Sequence, residues 1–387
     1  MMPPVIAHSV HGLRVATCAA PGVETVAVAL HADVGARFEA AAENGLAHLF
    51  EHMVFKGTMT RSARAIAEEI EDVGGNLNAW TSRDTTVFHA RLLAREKDVV
   101  LQELGEARDT PDDIVFDHLQ EAAFPGQALG RSILGTEDSL AGLTVADLRH
   151  WQARGYRNSR LTLVVAGKVD HDAVMRLAEA AFPDGGDAPA PRAEAVTFAP
   201  GQFADPRRFE QSQLTSAYPA PGHHDAGHDA AALFTIAAGG GMSSRLFQEV
   251  REARGLAYSI SAATSAYVDG GLMSVHAATA RKDAGRARDL IDRVLAETVQ
   301  SLSPAELARA RAQAIASLLM ALESPQGQGD YVARCLLVHG RFVPPAELVA
   351  RIEAVGVDAA RAAGAAMLAH APARAEIGVT AARRRAA

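Results

Sequence analysis

The sequence predicts an α+β fold of two tandem, related domains, each a mainly antiparallel sheet packed with helices. Three observations carry this expectation. The chain has 387 residues, 48% of them apolar, which is ample for two to three cores. Short alternating segments of strand period are interleaved with longer segments of helical period in both halves. Between the halves, residues 184–200 hold three prolines and two glycines among alanines, the composition of a linker. The expected domains are therefore 1–183 and 201–387.

Residues 13–18 and 24–31 alternate apolar and polar positions and are expected as strands. From Leu46 to Met53 the apolar spacing turns helical. A second helix is expected over 62–73, stopped by Gly74 and Gly75, which can adopt the left-handed conformations a helix end needs. Residues 76–82 and 85–93 read as strands joined by a turn at Arg83-Asp84. A helix fits 95–106 and another 113–123, where Pro111, Asp112 and Asp113 suit the positive end of a helix dipole. A short apolar strand at 161–167 and a helix at 173–181 close the first domain. After the linker come a strand at 213–218, a helix at 230–238, Gly239-Gly240-Gly241 and a helix at 244–254. Strands at 258–266 and 271–278 and long helices at 283–302 and 304–323 complete the reading. No close sequence repeat relates the halves.

The balance of 38 Lys+Arg against 46 Asp+Glu, net −8, argues against a nucleic-acid binder, which needs a basic face. No stretch approaches the roughly 18 uninterrupted apolar residues of a membrane span, and the first residues have no basic, then apolar, leader pattern. The expected location is cytoplasmic. Cys18 and Cys335 form no Cys-x-x-Cys pair and read as reduced, buried small hydrophobes.

His48-Leu49-Phe50-Glu51-His52 falls on the helix that begins at Leu46. At about 100° per residue, His52 lies about 40° to one side of His48 and Glu51 about 60° to the other, so all three share a face. Two neutral imidazoles one turn apart can reach one divalent ion, and a carboxylate beside them can hold its water. Zinc suits such donors and, in catalytic sites, keeps a position for water whose pKa falls to about 7. A third protein ligand and a base are also needed.

The run 44–58, Asn-Gly-Leu-Ala-His-Leu-Phe-Glu-His-Met-Val-Phe-Lys-Gly-Thr, resembles the inverted zinc motif of the pitrilysin-type metallopeptidase family. The resemblance continues through 74–82, 109–113 and 129–136 and into the second half at Gly241-Met242-Ser243-Ser244-Arg245-Leu246. The short bacterial, mitochondrial-processing-peptidase-like branch matches best.

The resemblance implies that His48 and His52 bind zinc, one ion per subunit, and that Glu51 is the general base. It implies Glu103 as third ligand and Glu96 as a carboxylate orienting a ligand histidine. On spacing alone, Glu96 and Glu103 read as a solvated acidic helix face. Residues 76–81 resemble the family's edge strand, which pairs with a peptide backbone through positions such as Asn78 and Ala79; as bare sequence, Trp80 fits a packing role equally well. Arg251 and Tyr258 match an arginine–tyrosine pair that steadies the oxyanion, with Arg254 a neighbouring alternative. The implied fold is one half of a clamshell. The implied assembly is a homodimer, or a heterodimer with a paralogue, acting on peptides or unfolded protein.

Two other groups read more plainly. Gly239-Gly240-Gly241 lacks the Lys-Ser/Thr of a phosphate loop, and His223, His224 and His228 sit among Pro, Gly and Asp as loop histidines.

One departure concerns length. Between His52 and Glu103 the chain is short by roughly 25 residues, one helix and its loop, relative to the family pattern. Either part of the preceding strand serves as a connector, or Glu103 is displaced from the metal. The second reading is then a catalytically impaired structural or partner subunit. The missing helix would also have covered one face of the sheet, so either an exposed apolar patch or a changed dimer surface is expected there.

Overall fold

A computed structural model describes residues 2–93, 111–183, 193–207 and 209–379. The strands are β1 (Val5–Val10), β2 (Leu13–Ala19), β3 (Thr25–Ala32), β4 (Gly75–Thr81), β5 (Thr86–Leu93), β6 (Leu161–Gly167), β7 (Gln202–Asp205), β8 (Ser212–Ala220), β9 (Ser259–Ala266), β10 (Gly271–Thr279) and β11 (Ala373–Ile377). The helices are α1 (Leu46–Val54), α2 (Ala63–Asp72), α3 (Pro111–Ala123), α4 (Glu137–Gly142), α5 (Val145–Gly155), α6 (His171–Ala181), α7 (His228–Gly239), α8 (Ala284–Ser301), α9 (Pro304–Ala321), α10 (Pro325–His339), α11 (Pro345–Ala354) and α12 (Val357–Leu368). Among the described residues, no helix is long and apolar enough to cross a membrane.

The chain forms two units, each built on one sheet. In the first, the strand order is β1-β2-β6-β3-β5-β4, with only β2 and β6 parallel. In the second it is β7-β11-β8-β10-β9, with only β7 and β11 parallel. Leaving β1 aside, the two orders and senses correspond strand for strand. The relatedness of the halves is thus carried by topology, in the absence of a sequence repeat.

Each sheet buries both faces. In the first unit, Leu13, Val15 and Leu161 pack with Leu46 and Phe50 of α1 and Trp151 of α5, while Ala16 and Val164, on the opposite face, pack with Val332, Ala333 and Leu336 of α10. In the second, Leu214, Met273 and Val275 pack with Phe234 of α7 and Ile291 of α8, while Ala217, Leu272 and Ala375 pack with Val115 and Leu119 of α3. A helix from late in the chain therefore covers the first sheet, and one from early in the chain covers the second. Boundaries at 183 and 201 separate the strands of the two sheets but cut across these two cores.

Most expected elements are present. Ser62 caps α2 by accepting from the Ala65 amide over 3.1 Å, and Gly74 takes a left-handed φ of 67°. Several features differ. The strands β1, β7 and β11 and the helices α4, α5, α10, α11 and α12 lie outside the expected set. The helix expected at 244–254 is a π-helical turn over Phe247–Glu252, where the Ala253 amide reaches the Gln248 carbonyl. The helix expected over 95–106 lies outside the described residues. On the β4–β5 face opposite α1, the register aligns Asn76 with Arg91 and Asn78 with His89; beside the lone Trp80 this surface is polar among the described residues, not the expected apolar patch. Cys18 and Cys335 are free and buried, with burial pushing the Cys18 thiol up to about 11.

Candidate metal centre

α1 is amphipathic: Leu46, Ala47, Phe50 and Glu51 face inward and are buried, while His48 and His52 are half-buried. One helical turn separates the histidines, and their rings meet edge to face with centroids 4.4 Å apart. Their Nε2 atoms are 3.0 Å apart. Two nitrogens bound tetrahedrally at about 2.0–2.1 Å from one zinc would be separated by about 3.3 Å, so this pair already converges as two ligands of one ion would. Burial, and then the neighbouring His52, hold the His48 imidazole below its ordinary pKa despite the opposing charge of Glu51. That favours the neutral form that binds metal.

Glu51 is 8% exposed, and its Oε2 accepts a 2.6 Å hydrogen bond from the Thr81 hydroxyl. Thr81 is the last residue of β4, where period-two alternation turns Ala79 and Thr81 toward α1. Tyr156 lies behind this carboxylate. Burial pushes its phenol up to about 12, the Glu51 charge adding to the effect.

Among the described residues β4 is an edge strand, paired with β5 alone. Ala79 is buried, whereas Asn78 and Trp80 face solvent. The Ala79 amide donates to Oδ1 of Asn78 over 2.8 Å.

Arg251 and Tyr258 belong to the second unit, and the π-helical turn brings them together. The Arg251 guanidinium carbon lies 4.7 Å from the Phe247 ring centre and 5.9 Å from that of Tyr258. Tyr258 is 72% exposed. Arg254, the alternative, is engaged with Glu249 through both its carboxylate and its carbonyl.

Glu96 and Glu103 lie outside the described residues. Among the described residues no three His, Cys, Asp or Glu side chains gather as a metal cluster; His48 and His52 are a pair that could supply two ligands. His223 and His228 have ring centres 5.5 Å apart and belong to no such cluster.

Two residues were missed by sequence reasoning. Thr81 sits within the 74–82 run and was signalled by its alternation with Ala79. Glu39 is 3% exposed, with one carboxylate oxygen accepting from the Ala47 amide over 2.7 Å and the other from the Gly45 amide over 2.9 Å. Burial pushes its carboxyl up to about 7 against these bonds. No local pattern marks it, because its partners are reached through a folded loop.

The profile of the Insulinase family (peptidase family M16) matches residues 14–96, and that of the peptidase M16 inactive domain matches 142–314. The chain is 31% identical over 379 residues to an uncharacterised zinc protease of Rickettsia felis, covering 90% of this chain and 91% of that protein. It is 33% identical over 405 residues to one of Streptomyces coelicolor, covering 95% and 88%. It is 34% identical over 390 residues to a probable mitochondrial-processing peptidase subunit beta of Arabidopsis thaliana, covering 89% and 72%. Among solved structures, a peptidase M16 inactive domain from Pseudomonas fluorescens superposes with a TM-score of 0.85 at 19% identity, over 98% of this chain and 99% of that one. A protease from Helicobacter pylori does so with a TM-score of 0.85 at 16% identity, over 97% and 100%. These two likenesses establish the shared fold.

Proposed function

The chain belongs to the insulinase family of peptidases, M16, and on that premise we propose that it is a zinc-dependent endopeptidase acting on peptides or unfolded segments. The observation that carries this reading is the convergence of the His48 and His52 Nε2 atoms, 3.0 Å apart, one turn from a buried, hydrogen-bonded Glu51. In this reading His48, His52 and Glu103 hold zinc, and Glu96 orients a ligand histidine. Bound zinc supplies Lewis acidity, bringing the pKa of a water to about 7.

Glu51 takes the proton of the attacking water and passes it to the leaving amine. Thr81 fixes one oxygen of Glu51, leaving the other for that proton. The free edge of β4 receives the substrate backbone at Asn78 and Ala79; the Asn78 side chain, now on the Ala79 amide, gives way to it. Arg251 and Tyr258 steady the oxyanion as the scissile carbonyl is attacked. We place them in the site of a partner subunit, in a homodimer or a heterodimer with a paralogue, so that the reaction runs inside a dimeric chamber.

A specific observation favours a second reading, an impaired structural or partner subunit. β5 stays paired along its full length, with Leu93 opposite Thr25, so none of it becomes a connector. From Leu93 back to the level of Thr86 is about 23 Å along the strand. Ten residues to Glu103 would rise about 15 Å as a helix and about 33 Å if extended, so Glu103 reaches the metal only if part of that path is extended.

Cleavage of a quenched peptide with and without chelator tests the enzyme reading. Chelator-sensitive hydrolysis is expected. Its absence, together with the absence of stoichiometric zinc, supports the impaired subunit instead.

A further inference from the structure

α1 begins two residues before the first proposed ligand, and the usual means of anchoring such an end is missing. In the first unit, α2, α4, α5 and α6 are capped by their own N-cap side chains, Ser62, Thr136, Thr144 and Asp170. α1 starts from Gly45, which has no side chain to offer. Gly45 has φ +92°, and a Cβ there would lie 2.9 Å from the Gly135 Cα and 3.0 Å from the Leu134 carbonyl oxygen. Neither the conformation nor the space admits a Ser, Thr or Asp at this position.

Glu39 takes over the task from outside the helix. Its two oxygens accept the amides of Gly45 and Ala47, the N-cap residue and the second helical residue; an amide at the second position is one that an N-cap side chain ordinarily satisfies. Asn44, 5% exposed, donates to the same carboxylate at 3.3 Å and to the Ser132 carbonyl at 2.9 Å. Arg131 donates to the Glu39 carbonyl at 2.5 Å. The Glu39 backbone is therefore held by Arg131, and its carboxylate by Asn44, which the Ser132 carbonyl anchors in turn.

Two bonds of different direction at one helix end determine both its axial position and its rotation. An imidazole Nε2 stands roughly 6 Å from the helix axis, so a 10° rotation would move it by about 1 Å, against a metal-ligand tolerance of about 0.2 Å. His48 follows Ala47 directly, and Thr81 restrains α1 only further along, at Glu51.

We propose that Glu39 is a positioning residue of the metal centre: by capping α1 through the Gly45 and Ala47 amides it sets the axial position and rotation at which the His48 and His52 pair is presented to the metal. The inference rests on the reading that these histidines bind a metal. The test is titration of the full metal-free chain with Co²⁺, followed by the visible absorption of the bound ion, in wild type and Glu39→Gln. The amide has a single acceptor oxygen and turns N–H donors toward the second backbone N–H. The variant should bind Co²⁺ about tenfold more weakly, with shifted bands. With zinc it should show a lower kcat at unchanged KM, and amide exchange over residues 40–54 should be faster in the metal-free state. A Co²⁺ affinity and spectrum equal to wild type would overturn the proposal. If Glu39→Gln does not fold, Glu39→Asp, which keeps the charge one methylene short, carries the test: weaker binding supports the proposal and unchanged binding overturns it. A wild-type chain that takes up no Co²⁺ sinks the metal reading and this inference with it, whereas equal binding by wild type and variant sinks only the positioning role.

Discussion

The Thr81 hydroxyl donates to Oε2 of Glu51 over 2.6 Å, tying the edge strand that would receive substrate to the proposed catalytic base. This bond holds one oxygen of a buried carboxylate, an arrangement that suits a general base. A hydrogen bond to a charged group contributes about 1.5–3 kcal/mol. Thr81→Val, nearly isosteric, should therefore lower kcat by roughly ten- to a hundredfold while KM and zinc content hold, and Thr81→Ser should retain most activity. Equal kcat in wild type and Thr81→Val would separate the bond from catalysis.

Glu51→Gln keeps the shape of the side chain and removes its basicity. Cleavage should fall by at least about a hundredfold, with zinc per chain unchanged by elemental analysis. Persistent activity in this variant would show that Glu51 is not the base.

The stability of the metal-free protein should carry the signature of Glu39. Its folded pKa is about 7, raised by burial from an ordinary 4.5, so the folded state holds this proton more tightly than the unfolded chain. The associated stability is complete below pH 4.5 and is lost as the pH rises through 7, a change of up to about 3 kcal/mol. Denaturant midpoints from pH 4.5 to 8 should thus decline more in wild type than in Glu39→Gln. Parallel profiles would contradict the assignment.

The exchange of covering helices predicts that the first half cannot fold alone. Residues 1–183 retain Ala16 and Val164 but lack Val332, Ala333 and Leu336 of α10, which bury that face. The isolated segment should bind hydrophobic dyes and melt without cooperativity, and supplying 318–345 should restore a sharp transition. A cooperative, monomeric 1–183 would show that α10 is dispensable.

Much of this was legible in the sequence because it is local. The 3.6-residue period placed His48, Glu51 and His52 on one helix face, and the period of two placed β4 and β5. What escaped was written in distant pairings. β11 alternates Arg374 and Glu376 into a strand, which obscures its apolar pattern until Asp292 and Arg288 of α8 are seen to pair with them. α10 reads as one more late helix, and nothing in its own residues says that it covers the first sheet. Glu39 looks like a surface carboxylate until the chain folds it onto the Gly45 and Ala47 amides. The spacing of 244–254 is helical, and only the bond from Ala253 to the Gln248 carbonyl reveals the wider turn that gathers Arg251 and Tyr258.

Zinc per chain, measured by elemental analysis in wild type and in Glu103→Ala, bears most directly on whether this is a complete peptidase site. The proposed function predicts close to one zinc per wild-type chain and a clear loss in Glu103→Ala. Wild-type protein without stoichiometric zinc, or a Glu103→Ala chain that retains it fully, would contradict the three-ligand site.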